Sequence, residues 1–256
     1  MPGRPTIDLN SDLGEGYGVW RLADDSALLG IITSANVACG FHAGDPTTMR
    51  EAAVTAASGG VAVGAHVSYP DRRGFGRRDM AIPPQQVTDD LVYQVGALDA
   101  IARAHGTRVT FVKPHGALYN RMAVDRRLAD AVVDAIGSLD GSLPLVTLPG
   151  SEAHAAARAA GLTAIAEAFA DRAYDGDGRL VSRDRPGAVI SDAEAVTARA
   201  VRIATEHTVE TIDGGVIELE AQTLCVHGDS PGSVALATAI RAGLEQAGFT
   251  LASFRG

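Results

Sequence analysis

The chain has 256 residues, 46% hydrophobic and 5% aromatic, enough to close a sizeable core without staples. Its formal net charge of -9 repels nucleic acid and anionic lipid, which excludes both as partners for the molecule as a whole. No apolar run approaches a bilayer span, Met1-Pro2-Gly3-Arg4-Pro5 has no apolar signal core, and Cys39 and Cys225 make no disulfide framework; a reducing cytoplasm with two buried free thiols is expected.

In chain order, strand-like and helix-like segments alternate. Residues 6–10 read as the first strand, with Ile7 and Leu9 on one face and Asp8, Asn10 and then Asp12 on the other. Residues 32–38 form the second, carrying Asn36 and running into Cys39-Gly40-Phe41-His42-Ala43-Gly44-Asp45. Asp45-Pro46 is an N-cap with proline at the first helical position, and Gly59-Gly60 ends that helix. The third strand, 61–66, ends in His66 and leads through Ser68 into a loop holding Arg72, Arg73, Arg77 and Arg78. Pro83-Pro84 opens a longer helix with Val87, Leu91, Val95, Leu98 and Ala102 on one face and Gly106 as its stop.

The fourth strand, 108–113, runs into Lys113-Pro114-His115-Gly116, and 145–148 is the fifth. The sixth, 163–169, carries Glu167 and ends at Asp171-Arg172. Ser191 and Glu194 read as a capping box for a helix reaching about Glu206. Residues 208–220 alternate around Asp213-Gly214-Gly215, a β-hairpin inserted into the series. The last strand, 223–226, ends in His227-Gly228-Asp229-Ser230, and Ser230-Pro231 starts the last helix.

Such alternation is the signature of a parallel α/β architecture. With no repeat or dividing linker, residues 1–256 are expected to form a single-domain imperfect (β/α) barrel with one inserted hairpin at about 208–220. A doubly wound open sheet is the alternative, but no G-x-G-x-x-G follows the first strand and no Walker-type loop occurs.

Ligands of parallel α/β folds bind at the C-terminal ends of the strands, where four of the seven histidines gather: His42, His66, His115 and His227. His105, His154 and His207 fall at or within helices. Of 22 basic residues only Lys113 is lysine, which marks a place for a compact ammonium unless chance spared it. The four loop arginines either form a solvated surface held by Asp71 and Asp79 or wrap an anion. Tyr174-Asp175-Gly176-Asp177-Gly178 lacks the remaining EF-hand ligands and reads as an ordinary turn. No G-x-S-x-G elbow or H-E-x-x-H is present, so the residues support hydrolysis or amide-type chemistry at a small polar site and go no further.

Several longer blocks are recognisable: Ile7-Asp8-Leu9-Asn10-Ser11-Asp12-Leu13-Gly14-Glu15, Ser34-Ala35-Asn36-Val37-Ala38-Cys39-Gly40-Phe41-His42-Ala43-Gly44-Asp45, Gly64-Ala65-His66, Val112-Lys113-Pro114-His115-Gly116-Ala117-Leu118-Tyr119-Asn120, Phe169-Ala170-Asp171-Arg172 and Cys225-Val226-His227-Gly228-Asp229. In this order they resemble the LamB/YcsF lactam-utilisation family, whose bacterial members are the A subunits of an ATP-dependent 5-oxoprolinase. Val67 departs from the family, which usually has proline after the histidine. The resemblance implies a polysaccharide-deacetylase-like barrel, ATP with Mg2+ as cofactor, two partner subunits and opening of 5-oxoproline, a small lactam, to L-glutamate.

On these grounds the expected catalytic residues are Asp12, His66, Lys113 and His115. The expected substrate-binding residues are Asp8, Asn10, Asn36, His42, Glu167, Arg172, His227 and Asp229, with Arg72, Arg73, Arg77 and Arg78 for phosphate. No tightly bound transition metal is expected, because Asn10 and Lys113 are expected to share the site with the histidines. Two alternatives stand beside this: a metal-dependent deacetylase with Asp12, His42 and His66 as ligands, and a non-catalytic lactam-binding subunit.

Overall fold

The computed structural model describes residues 4–229 and 232–255. In chain order the elements are β1 (Thr6–Leu13), α1 (Asp25–Leu29), β2 (Ser34–Ala38), α2 (Pro46–Gly59), β3 (Ala62–Val67), α3 (Pro84–Ala104), β4 (Val109–Pro114), α4 (Gly116–Met122), α5 (Arg126–Asp140) and β5 (Leu145–Thr147). They continue with α6 (Glu152–Ala159), β6 (Ala164–Phe169), α7 (Ala193–Glu206), β7 (Thr208–Glu210), β8 (Val216–Glu218), β9 (Thr223–Val226), α8 (Ser233–Gln246) and β10 (Thr250–Leu251).

Among the described residues, seven parallel strands close on themselves in the order β1-β2-β3-β4-β5-β6-β9, and β9 returns to β1 with Asn10 opposite Cys225. This is the expected barrel rather than the open sheet. β10 flanks the start of β1, with Thr6 opposite Thr250. β7 and β8 form the expected antiparallel hairpin as a separate two-stranded sheet. No helix of the described residues is long and apolar enough to cross a membrane.

The alternation in β1 decides what fills the barrel. Ile7, Leu9 and Leu13 join the apolar layer between strands and helices, so Asp8, Asn10 and Asp12 must point to the opposite, inner face. The lower barrel is stopped by Phe111, Val146 and Ile165 with Phe254 packed against them. Gly64 makes room for this plug, because a Cβ there would lie 2.1 Å from the Phe111 ring. Above the plug Asp8 accepts hydrogen bonds from Thr33 and Ser34 at 2.7 and 2.6 Å and from Thr223, closing a buried polar layer.

Helix ends follow their caps with one correction. Asp45 accepts from the Thr47 and Thr48 amides at 2.8 and 3.0 Å to start α2, and left-handed Gly60 ends it. The five expected apolar positions of α3 are buried. The cap of α7, however, is Asp192, which accepts from the Ala195 amide at 2.8 Å, and not Ser191. Serine and aspartate cap equally well, and the helix begins one residue later than a Ser191 cap requires. The expected Ser230-Pro231 start of the last helix lies outside the described residues; β1 extends past Asn10 to Leu13, which places Asp12 within the strand opposite Asn36.

Candidate active site

The C-terminal ends of the strands surround a cavity of about 430 Å³ whose lining includes Asp12, His66, Lys113, His115, Phe169 and His227. Lys113 is its electrostatic centre. The side chain is fully buried, and Nζ lies 3.0 Å from Asp12 Oδ1 and 2.8 Å from Glu167 Oε1. It also donates to Asn10 Oδ1 at 3.2 Å and Cys225 Sγ at 3.0 Å, and faces the Phe169 ring at 5.2 Å. Burial opposes its charge, but Asp12 and Glu167 override this and hold its pKa well above the usual lysine value. The paired carboxylates thus favour the charged form of Lys113.

Asp12 is held by the same contacts. Burial works against its ionisation, yet His66 and Lys113 keep its carboxyl well below the ordinary range. Asn36 donates to its Oδ1 at 2.9 Å, and His66 Nε2 stands 3.3 Å from Oδ2. Asn36 also donates to Asn10 Oδ1, and Asn10 to Glu167 Oε1. Asp8, Asn10, Asn36 and Glu167, expected to bind substrate, thus form the supporting layer beneath Asp12 and Lys113.

On the opposite wall His227 Nδ1 donates to Asp171 Oδ2 at 2.7 Å, which leaves Nε2 as the ring nitrogen free of Asp171. Burial would raise the Asp171 carboxyl, but His227 and then Arg172 hold it below its usual value. Arg172 lines the cavity but spends its guanidinium on the Ala188 and Val181 carbonyls at 3.3 and 2.6 Å, clamping the loop that brings Ser182 and Arg183 to the wall. Burial and neighbouring Arg183 depress it to about 10.

The four loop arginines do not converge. Arg77 lines the cavity and donates to Asp229 Oδ2 at 2.6 Å, which places Asp229 at the rim. Arg78 is bound to Asp71 with Nε at 2.9 Å. Arg72 donates to the Gly40 and Gly44 carbonyls and stacks on Tyr17, and Arg73 is exposed. The segment is a clasp: left-handed Gly76 passes so close to the imidazoles that a Cβ would stand 2.8 Å from His115 and 2.9 Å from His42.

His42 does not line the cavity; it stacks behind His115 with centroids 3.9 Å apart. Its Nε2 lies 3.1 Å from Glu15 Oε1, and His115 Nδ1 lies 2.9 Å from His66 Nε2. Glu15, His42, His66 and His115 place one ligand atom each within 4.8 Å of one another, a set that can hold a metal ion. Asp12 stands beside this set rather than within it, between His66 and Lys113. Glu15, Asp171 and the cavity-lining Asp184 are acidic residues that had no assigned role from sequence. Glu15 lies just past the first strand and Asp171 just past the sixth, so the strand-end rule already pointed at both.

A sequence profile of the LamB/YcsF family matches residues 7–256. The chain is 55% identical over 248 residues to a 5-oxoprolinase A subunit of Agrobacterium fabrum, covering 97% of each. The crystal structure of a lactam utilization protein from Thermus thermophilus superposes with a TM-score of 0.92 at 45% identity, covering 97% of this chain and 100% of that one. A peptidoglycan deacetylase of Bacillus subtilis shares the fold, with a TM-score of 0.51 at 12% identity over 99% of this chain and 90% of the other.

Proposed function

Because the chain belongs to the LamB/YcsF family, we propose that it works as the A subunit of an ATP-dependent 5-oxoprolinase, opening 5-oxoproline to L-glutamate with two partner subunits. The observation that carries this reading is the ion-paired Lys113 ammonium on the floor of a cavity sized for a small polar molecule, across from the Asp171–His227 pair.

A five-membered lactam is an unstrained, stable amide. Transfer of the ATP γ-phosphoryl group, with Mg2+, to its carbonyl oxygen makes C5 attackable. Water then adds to C5, the C5–N bond breaks, and the nitrogen leaves with a proton as the amine. A second water takes up the phosphoryl group as phosphate. In this chain the Lys113 ammonium, its hydrogens taken up by Asn10, Asp12, Glu167 and Cys225, supplies positive charge beneath the oxygen that gathers charge during addition, and Asp12 keeps it aligned. His227, oriented by Asp171, moves the proton. His66 and His115 complete the floor. Because Arg72, Arg77 and Arg78 are engaged within the protein, we assign the hydrolytic half to this chain and nucleotide binding to the partners or their junction with it. The test is to mix the chain with both partners, 5-oxoproline, ATP and Mg2+ and follow glutamate. Release that needs all three chains and ATP supports the assignment; release by the partners without this chain overturns it.

A further inference from the structure

Three imidazoles, His66 and His115 in the cavity floor and His42 behind it, have their tautomers set by what lies at their backs. His66 Nδ1 is 2.9 Å from the Lys113 carbonyl oxygen, which only accepts, so Nδ1 carries the hydrogen and Nε2 the lone pair. His115 Nε2 is 2.9 Å from the Phe75 carbonyl oxygen, so its Nδ1 carries the lone pair. His42 Nδ1 is 3.0 Å from Ser68 Oγ, whose own hydrogen goes to the Tyr69 carbonyl at 2.8 Å. Ser68 therefore accepts there, and His42 Nε2 carries the lone pair.

These three lone pairs and Glu15 Oε1 are aimed at one another. His66 Nε2 to His115 Nδ1 is 2.9 Å, His42 Nε2 to Glu15 Oε1 is 3.1 Å, and His115 Nδ1 to Glu15 Oε1 is 3.6 Å. Neutral rings in these tautomers supply no hydrogen to any of the three contacts, and their lone pairs converge with Glu15 Oε1 on one small volume. Two ligand atoms each about 2.1 Å from one metal ion stand roughly 3.0 Å apart at a right angle and about 3.4 Å apart at the tetrahedral angle, close to the three contacts above, and all four atoms lie within 4.8 Å of one another. Each ligand histidine is also backed by a fixed acceptor, the outer-shell arrangement that orients metal-bound imidazoles.

We propose that Glu15, His42, His66 and His115 form a binding site for one divalent first-row transition metal ion, with three imidazoles and a carboxylate as the donor set suited to zinc. This holds whether or not the 5-oxoprolinase assignment does. It replaces the expectation of no transition metal, whose premise is that Lys113 shares the histidine site. The ammonium instead contacts Asn10, Asp12, Glu167 and Cys225, with Asp12 between it and His66. A bound ion would add fixed positive charge at the cavity floor.

The test uses the full chain, stripped with a chelator and titrated with Zn2+ alone by calorimetry. About one ion per chain is expected, with a rise in melting temperature. Glu15→Gln and His115→Gln should each weaken binding by more than ~100-fold, whereas His105→Gln and His154→Gln should not change it. If the site variants fail to fold, X-ray absorption of the Co2+-loaded wild-type chain reads the ligands directly, and three imidazoles are expected. No uptake by the wild-type chain, equal uptake by the folded site variants, or fewer than two imidazoles around cobalt would each overturn the proposal.

Discussion

Lys113 Nζ and Glu167 Oε1 form a buried 2.8 Å ion pair at the base of the strand-end cavity. Removing one partner of such a pair leaves an uncompensated buried charge, which typically costs about 3–5 kcal/mol. Lys113→Met should therefore lose stability on that scale in chemical denaturation, and adding Glu167→Gln should recover part of the loss. A single variant as stable as wild type would show that the pair is not what holds this layer.

Lys113→Arg keeps the charge but must fit a planar fork where a compact ammonium meets Asn10, Asp12, Glu167 and Cys225 together. Turnover of the reconstituted complex should fall ~10²–10³-fold, the usual cost of losing a preorganised donor to a developing oxyanion. The reason is geometry rather than titration, since the carboxylates keep this lysine charged. Near-normal turnover in Lys113→Arg would mean that position 113 needs only a positive charge.

His227 is placed to transfer protons because Asp171 fixes which ring nitrogen is left free. His227→Gln should lower kcat ~10²–10⁴-fold with little change in KM. Asp171→Asn should show a smaller loss and an altered pH profile. A change confined to KM, with kcat intact, would make His227 a binding residue instead.

Asp8 gives a pH signature that does not involve the histidines. Burial outweighs its three hydroxyl hydrogen bonds and raises its carboxyl from 3.8 to about 6. The folded state therefore holds this proton more tightly than the unfolded one. Its contribution to stability is fully present below the unfolded value and is lost as pH rises through about 6. Between about pH 5 and about pH 7 wild type should lose about 1 kcal/mol that Asp8→Asn does not lose. Parallel denaturation curves for the two proteins at both pH values would contradict the shift.

Gly76→Ala tests the clasp over the imidazoles. The residue has φ +65°, and an added Cβ meets His115 and His42. Overpacking and a strained φ together should cost roughly 1–3 kcal/mol and lower turnover by displacing His115. Unchanged stability and turnover would show that the loop yields freely.

Much of the architecture is legible in the sequence because two periodicities coincide with chemistry. The inner face of β1 reads directly as Asp8, Asn10 and Asp12, and the ends of each barrel strand fall within a few residues of where the pattern puts them. The lone lysine stands buried at the floor of the strand-end cavity. What the sequence hides is pairing across strands. Nothing local says that Asn10, Asn36 and Glu167 support Lys113 instead of meeting substrate, since their contacts span 103 residues in one case and 157 in another. Likewise the sequence leaves open whether the loop arginines wrap an anion or are held by Asp71 and Asp79; the fold pairs Arg78 with Asp71 and turns Arg72 to the Gly40 and Gly44 carbonyls. Ser191 reads as a cap because Asp192, the residue that serves, fits the same signal.

The most direct test of the central claim is a three-chain assay of ATP-dependent glutamate release from 5-oxoproline, with this chain present, absent or replaced by Asp12→Asn. Glutamate is expected only when the intact chain, both partners and ATP are together, with little or none from the chain alone and a severe loss with Asp12→Asn. Robust ATP-dependent turnover by the isolated chain, or undiminished release when Asp12→Asn replaces it, would contradict the account.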